Sequence, residues 1–410
     1  MIIYGYGFLL RLASLFNPKA RQWIEGRRGI FAKLKSAIRF VNRDNNPIIW
    51  FHVSSLGEFE QGRPVMEAIK KRWPEKKIFL TFFSPSGYEI RKNFDQADFI
   101  FYLPLDTPGN ARRFLKIVQP EMVFFVKYDF WFNYLKMIYE QGIPLYFISA
   151  LFRKSQHFFK WYGGWFRMHL RFVSHFFVQN RESAGLLRSA GIEQVSLAGD
   201  TRFDRVFAIA TQSAPMPMIE KFCAGQQIFI AGSSWEPDEA VFIPLIRHRE
   251  LNLKYIIAPH DTSSGRIRFI REHLDQPVIC YSELNDDNAG LADILIIDSV
   301  GILSKLYRYA TVAFIGGGFG GGIHNIQEPV TFGVPVLFGP NYHKFSEARD
   351  LVSLGGVFCV TSSEELINKV MEITSNPQEH KRLSVICSNY VEESRGATEK
   401  IMSYLKQVSE

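Results

Sequence analysis

Residues 48–84 read IIWFHVSSLGEFEQGRPVMEAIKKRWPEKKIFLTFFS. A short run of β-branched and aromatic residues (48–53) gives way to a helical pattern (60–73), and a second such run follows (77–84). Strand, helix, strand in that order is the unit of a parallel sheet with crossover helices. Outward from it, the same alternation predicts strands at 99–104, 122–128, 145–150 and 175–179, with helices at 86–93, 107–118, 131–141 and 182–190. A second series predicts strands at 227–231, 254–258, 278–281, 294–297, 312–315 and 334–338, with helices at 237–247, 264–273, 301–310, 326–332 and 364–373. Between the two series, 203–220 lacks a strand pattern and contains Pro215 and Pro217. The expected fold class is α/β, with two Rossmann-like doubly wound domains facing a cleft. The expected segments are a tail 1–45, a domain 46–205, a linker 206–220 and a domain 221–410 with C-terminal helices. Open α/β sheets bind ligands outside the carboxyl ends of their strands, so function belongs in the loops after strands.

Composition bounds the rest. The 410 residues are 47% hydrophobic and 22% charged, an ordinary globular balance that excludes disordered, collagen-like and knottin-like chains. Cys223, Cys280, Cys359 and Cys387 lie far apart with no CxxC pair, which argues against a zinc site and for a reducing, cytosolic side. The net charge of +7 is unevenly shared: residues 1–200 carry +13 and residues 201–410 carry −6. A basic first half suits an anionic surface or substrate, with nucleic acid, anionic lipid and phosphorylated substrate all open.

The N-terminus narrows this. Residues 1–16, MIIYGYGFLLRLASLF, form an apolar run with Arg11 inside it, followed by Lys19, Arg21, Arg27, Arg28, Lys33, Lys35, Arg39 and Arg43. A spanning helix needs about 20 uninterrupted apolar residues. The run fits instead a helix lying in the membrane interface, its basic flank on anionic lipid. A buried first helix of the domain is the alternative. No small-residue cleavage site follows, which argues against a secretory signal.

Several loops after strands hold candidate chemistry. Gly57-Glu58 follows the first strand, where Glu58 serves either as a general base or as a helix N-terminal acid that complements the dipole. In Asp106-Thr107-Pro108, Asp106 or Thr107 caps the helix carrying Arg112 and Arg113. Lys127-Tyr128-Asp129-Phe130-Trp131 puts a cation and a carboxylate at another strand tip, where a buried Asp129 needs a partner and Lys127 is nearest. Six glycines in the seven positions 316–322 precede Ile323-His324-Asn325-Ile326-Gln327-Glu328-Pro329. Such a loop, followed by a helix from about Asn325, suits a phosphate on main-chain N–H groups, with Glu328 accepting from ribose hydroxyls; a glycine hinge without ligand is the alternative. It is neither a Walker A loop nor a GxGxxG dinucleotide loop. Converging loops add Ser233 and Ser234 as hydroxyl donors and Val300 and Gly301 as main-chain groups for a base edge. His260 suits phosphate or capping equally. No histidine cluster, HExxH or DxD suggests a metal.

At these residues the chain resembles the 3-deoxy-D-manno-octulosonic acid (Kdo) transferases of lipopolysaccharide synthesis, over nearly its whole length. Trp50-Phe51-His52-Val53-Ser54-Ser55-Leu56-Gly57-Glu58 is similar to the family's "W-x-H-x-x-S-x-G-E", whose glutamate is the catalytic base. Phe83 to Gly87 is similar to "T-P-T-G", Tyr102 to Asp106 matches almost letter for letter, and Ala231 to Glu236 is similar to "A-G-S-T-H-E". Asp298 to Gly301 is similar to "D-T-M-G-E-L", and Asn325 to Pro329 with Gly333 to Pro340 to "N-P-L-E-P…G-x-P-V-x-x-G-P". Departures occur at Lys127-Tyr128-Asp129 where many members read "E-T-E", at Trp235 in place of a histidine, and at Pro259-His260-Asp261 in place of "P-R-H".

The resemblance implies a GT-B glycosyltransferase that moves Kdo from CMP-Kdo to a lipid A precursor, with inversion, at the cytoplasmic face of the bacterial inner membrane. It implies Glu58 and Asp129 as catalytic carboxyls. Ser233, Ser234, His260, Val300, Gly301, Gly321, Gly322, Asn325 and Glu328 are implied as donor-binding residues, with no metal and no separate cofactor. The implied partners are CMP-Kdo, the lipid A precursor and the anionic membrane surface, and no nucleic acid. Two alternatives stand beside it: a membrane-associated GT-B enzyme using a UDP-sugar, and a non-catalytic nucleotide-sensing membrane-surface protein.

Overall fold

The computed structural model describes residues 2–41, 46–212, 214–248 and 251–409; Arg43 of the basic tail lies outside them. The chain forms two compact units, Met1–Asp204 with Gly396–Glu410, and Arg205–Arg395. Each is built on a seven-stranded, wholly parallel sheet. The first contains β1 (Ile48–Val53), β2 (Lys77–Phe82), β3 (Phe99–Tyr102), β4 (Met122–Val126), β5 (Leu145–Ala150), β6 (His175–Val178) and β7 (Val195–Leu197), in the order β3-β2-β1-β4-β5-β6-β7. The second contains β8 (Gln227–Ser234), β9 (Leu253–Pro259), β10 (Val278–Cys280), β11 (Ile294–Ile296), β12 (Val312–Ile315), β13 (Val336–Phe338) and β14 (Val357–Cys359), in the order β10-β11-β9-β8-β12-β13-β14. The central strands are buried throughout because helices cover both faces of each sheet, which is why they read as continuous apolar runs. The edge strands β7 and β14, three residues each, carry no readable pattern and escape sequence analysis.

The helix after β1 runs Leu56–Arg72, four residues earlier than expected, because Ser55 caps it. The expected linker 206–220 is not extended: helices Thr201–Gln212 and Pro217–Cys223 occupy most of it. The last helix, Ala397–Ser409, belongs to the first unit rather than the second as expected. Asp204 holds its start by accepting from the amides of Gly396 (2.5 Å) and Thr398 (2.7 Å), and Ala397, Ile401 and Leu405 enter the core beside Phe59 and Ile69.

The N-terminal tail is three helices, Ile2–Ala13, Pro18–Arg27 and Ile30–Ile38. In the third, Ile30, Leu34 and Ile38 recur every four residues and bury one stripe against Ile48 and Phe114. Each such side chain stabilises the fold by about 1.5–3 kcal/mol. The second docks through Arg27, whose guanidinium donates to the carbonyls of Leu103 (2.8 Å), Phe83 (2.8 Å) and Trp23 (3.1 Å) and lies 3.8 Å over the Trp23 ring. Burial lowers its pKa to about 9. The first helix is not the buried helix that was the alternative. Tyr4, Phe8, Leu9 and Leu12 are exposed, Phe16 beyond its end is 90% exposed, and Tyr6 alone of its rings packs, against Trp23 and Phe83. Among the described residues, no helix is long and apolar enough to cross a membrane.

Candidate active site

Strand order locates two sites. In the first sheet the order reverses between β1 and β4, and in the second between β8 and β12. Loops leaving the carboxyl ends at such a point diverge and open a crevice.

In the first unit those loops carry Glu58 and Asp129. Ser55 is extended (φ −138°) and its hydroxyl accepts from the Glu58 amide (3.4 Å). Glu58 Oε2 accepts from the amides of Ser54 (2.7 Å) and Ser55 (2.9 Å), closing a capping box. The helix-terminal role for Glu58 is therefore realised, and it fixes the carboxyl at the strand tip. Burial raises its pKa, opposed by the Ser54 amide and then by the charge of Lys127.

Asp129 follows β4 after a turn in which Lys127 adopts a left-handed φ of 67°. Its Oδ2 lies 3.6 Å from His52 Nε2, and neither atom has a hydrogen-bond partner. Thr81 Oγ1 accepts from Trp50 Nε1 (2.8 Å) and lies 3.2 Å from the Phe51 carbonyl and 2.9 Å from His52 Nδ1; with its own proton on the carbonyl it accepts from Nδ1 as well. Burial and the charge of Arg27 push the His52 pKa down to about 3, so the ring is neutral, and in the tautomer with the proton on Nδ1 its Nε2 presents a lone pair. A carboxyl oxygen facing a lone pair in a buried site favours the protonated acid. Burial, and then the charge of Glu58, raise the Asp129 pKa well above its ordinary value. The contacts of Asp129 are thus Ser54 and His52, with Lys127 acting through its charge. Of the expected caps, Thr107 serves its own helix (Asn110 amide, 3.2 Å), whereas Asp106 caps the next one, accepting from the amides of Asn133 (3.2 Å) and Tyr134 (3.1 Å).

In the second unit the glycine loop differs from expectation. The buried Asp238 carboxylate already accepts from the amides of Gly317 (2.7 Å) and Phe319 (3.3 Å), while the amides of Gly320 and Gly322 donate to the Gly317 carbonyl. The glycines instead permit close packing: a Cβ at Gly316 would lie 2.4 Å from the Ser233 carbonyl oxygen, and one at Gly318 would lie 2.5 Å from the Gly339 nitrogen. The helix beyond is only Gln327–Thr331, and its first amide is taken by Asn325 Oδ1 (3.0 Å), so it supplies little dipole. Gly321 is exposed and Gly322 has φ 135°.

Ser234 is buried and donates to Glu239 Oε1 (3.1 Å), which pairs with Arg266, so its proton is already committed; Ser233, at φ 56°, remains partly exposed. His260 is tied to the Ser234 carbonyl through its amide (2.9 Å). Its ring stacks between Trp235 (4.5 Å) and His324 (4.5 Å), and Trp235 Nε1 donates to His324 Nε2 (3.1 Å). Asn325 Nδ2 donates to Glu328 Oε1 (3.2 Å); burial raises the Glu328 pKa, opposed by this bond and by the charge of Arg205. Val300 is 87% exposed beside Gly301 (φ 96°), and Leu303, two residues on, reaches Gly232. Sequence reasoning gave no role to His52, Asp238 or His324. His52 stood in the matched motif, and Asp238 carried a signal three residues after the helix cap at Trp235. Among the described residues, no three His, Cys, Asp or Glu side chains are grouped to hold a metal ion.

Residues 25–205 match the 3-Deoxy-D-manno-octulosonic-acid transferase (kdotransferase) family. A 3-deoxy-D-manno-octulosonic acid transferase of Haemophilus influenzae is 26% identical over 96% of this chain and 93% of its own. That of Aquifex aeolicus is 26% identical over 81% and 88%. In fold, the chain resembles a putative UDP-N-acetylglucosamine 2-epimerase of Listeria monocytogenes (TM-score 0.60, 15% identity, 89% and 97% covered). Its two parallel α/β sheets are those of the GT-B architecture. Residues 25–205 thus match the kdotransferase model, and over most of its length the chain is similar to 3-deoxy-D-manno-octulosonic acid transferases; it is a glycosyltransferase.

Proposed function

We propose that the protein transfers Kdo from CMP-Kdo to a lipid A precursor, with inversion and without a metal, at the cytoplasmic face of the inner membrane. The observation that carries this reading is the buried Glu58 and Asp129 pair at the switch point of the first sheet, inside the segment that matches the family. Two close carboxyls share one proton, and Asp129, whose pKa is raised well above its ordinary value, keeps it. Glu58 is then ionised, with a basicity raised by burial. It removes the proton of the acceptor hydroxyl as that oxygen bonds to the anomeric carbon of Kdo. The bond from that carbon to the CMP phosphate oxygen breaks, and CMP leaves with the electron pair.

In the second unit the donor nucleotide would meet Ser233, His260, Val300, Gly301, Gly321 and Gly322, with Asn325 and Glu328 toward the ribose. Ser234 acts through Glu239. The exposed rings and aliphatic side chains of Ile2–Ala13 and the basic helices behind them support the membrane-surface assignment. Mass spectrometry after incubation with CMP-Kdo and a lipid A precursor tests the reading. Transfer is expected, with turnover cut by about two to four orders of magnitude in Glu58→Gln at unchanged CMP affinity. Absence of transfer, or full turnover in that variant, would overturn it.

A further inference from the structure

Helices Ile30–Ile38 and Pro108–Val118 of the first unit pack side by side. They enclose a surface cavity of about 490 Å³ whose charged lining is Lys35, Arg39, Arg113 and Lys116. Lys35 and Arg39 are four residues apart around the end of one helix, Arg113 and Lys116 three apart on the other, so each pair shares a face. Among the described residues no carboxylate lines this cavity, and none of the four cations pairs with an acid. Elsewhere on the same unit Lys70, Lys76, Lys77 and Arg91 all do. Four unneutralised like charges in one depression repel one another, and an anion relieves that repulsion.

The cavity does not stand alone. Arg113, its guanidinium 4.3 Å over the Phe31 ring, also lines an adjoining cavity of about 730 Å³. Trp23, Ile24, Ile30, Phe31 and Leu105 give that second cavity a mostly apolar wall, which Arg11, Arg27 and Arg28 also line, with Glu25 as its one carboxylate among the described residues. Its size is that of a ligand site. A free sugar phosphate or nucleotide has no group to fill an apolar chamber, whereas a phosphate attached to an acyl chain fills both.

We propose that Lys35, Arg39, Arg113 and Lys116 bind the phosphate of an acylated lipid whose chain enters the adjoining cavity. This deepens the membrane-surface reading above and is independent of the chemistry of Kdo transfer. The phosphate can belong to an anionic phospholipid of the bilayer or to a phosphorylated, acylated acceptor, and the test separates the two.

The full chain is compared with Lys35→Gln/Arg39→Gln/Arg113→Gln/Lys116→Gln and with a charge-matched control, Lys71→Gln/Arg72→Gln/Arg181→Gln/Arg188→Gln, taken from exposed positions of other helices. Partitioning is measured onto phosphatidylcholine vesicles carrying either phosphatidylglycerol or a lipid A precursor. The site variant is expected to lose at least about 30-fold in partitioning and the control less than about threefold. Loss with phosphatidylglycerol assigns the site to bilayer lipid; loss confined to the lipid A precursor assigns it to the acceptor. Equal losses in the two variants, or no loss on either vesicle, would overturn the proposal. Should the quadruple variant fail to fold, the exposed single changes Lys35→Gln and Lys116→Gln serve, each expected to cost about threefold to fivefold against no change for Lys71→Gln. Kdo transfer in detergent, measured in parallel, reports on the proposed function separately: it can persist when this site fails, and the converse.

Discussion

Asp129→Asn offers the sharpest test of the proton placement at the first switch point. If Asp129 holds a proton in the folded protein, its asparagine is close to isosteric, equally neutral, and able to donate to His52 Nε2, which has no partner now. A carboxyl whose ordinary pKa is 3.8 favours its neutral form when folded, so folding is weakened as pH rises above that value and until the raised folded value is reached. Keeping such a carboxyl protonated at pH 7 costs up to about 4 kcal/mol. Asp129→Asn removes that cost and should be more stable than the parent at pH 7 by about 1–4 kcal/mol. In calorimetry this is a rise of roughly 2–10 °C for a unit of this size, shrinking toward zero near pH 4. Turnover should stay within about fivefold of the parent at pH 7, since Glu58 keeps its neutral neighbour. The alkaline limb of the pH–rate profile, where Asp129 ionises beside Glu58, should disappear. A variant less stable at pH 7 than the parent, or as inactive as Glu58→Gln, would show that Asp129 is ionised and would refute the assignment.

The second unit yields two more. Glu328→Ala removes an acceptor at the proposed ribose site and should weaken CMP binding by about 1.5–3 kcal/mol in titration calorimetry; unchanged affinity would leave Glu328 only its hydrogen bond to Asn325. Gly317 has φ 89°, and a Cβ there would lie 2.3 Å from the Gly322 carbonyl oxygen. Gly317→Ala should therefore lower the melting of its unit by roughly 5–10 °C, about 2–3 kcal/mol, and an unchanged melt would mean the loop takes another shape.

What the sequence carried, and what it did not, follows from the range of each interaction. Strands β1, β5 and β12 appear at their expected limits because apolar runs bounded by turn residues are local signals, and Glu58 stood out because, with Gly57, it directly follows the first of those strands. The state of Asp129 depends on His52, which lies on a neighbouring strand and whose Nδ1 meets Thr81 on another, 29 residues along. No linear pattern encodes that. The glycine loop illustrates the opposite hazard. Six glycines read locally as free amides awaiting a phosphate, but Asp238, 79 residues upstream, takes that of Gly317. A carboxylate placed there rigidifies the loop and also sets a negative charge under any anion that approaches. The donor phosphate should therefore sit away from Gly317, toward the exposed edge formed by Gly321, the partly exposed Ser233 and the imidazole of His260, which stacks against His324 and Trp235 at the point where this chain departs from the family it resembles.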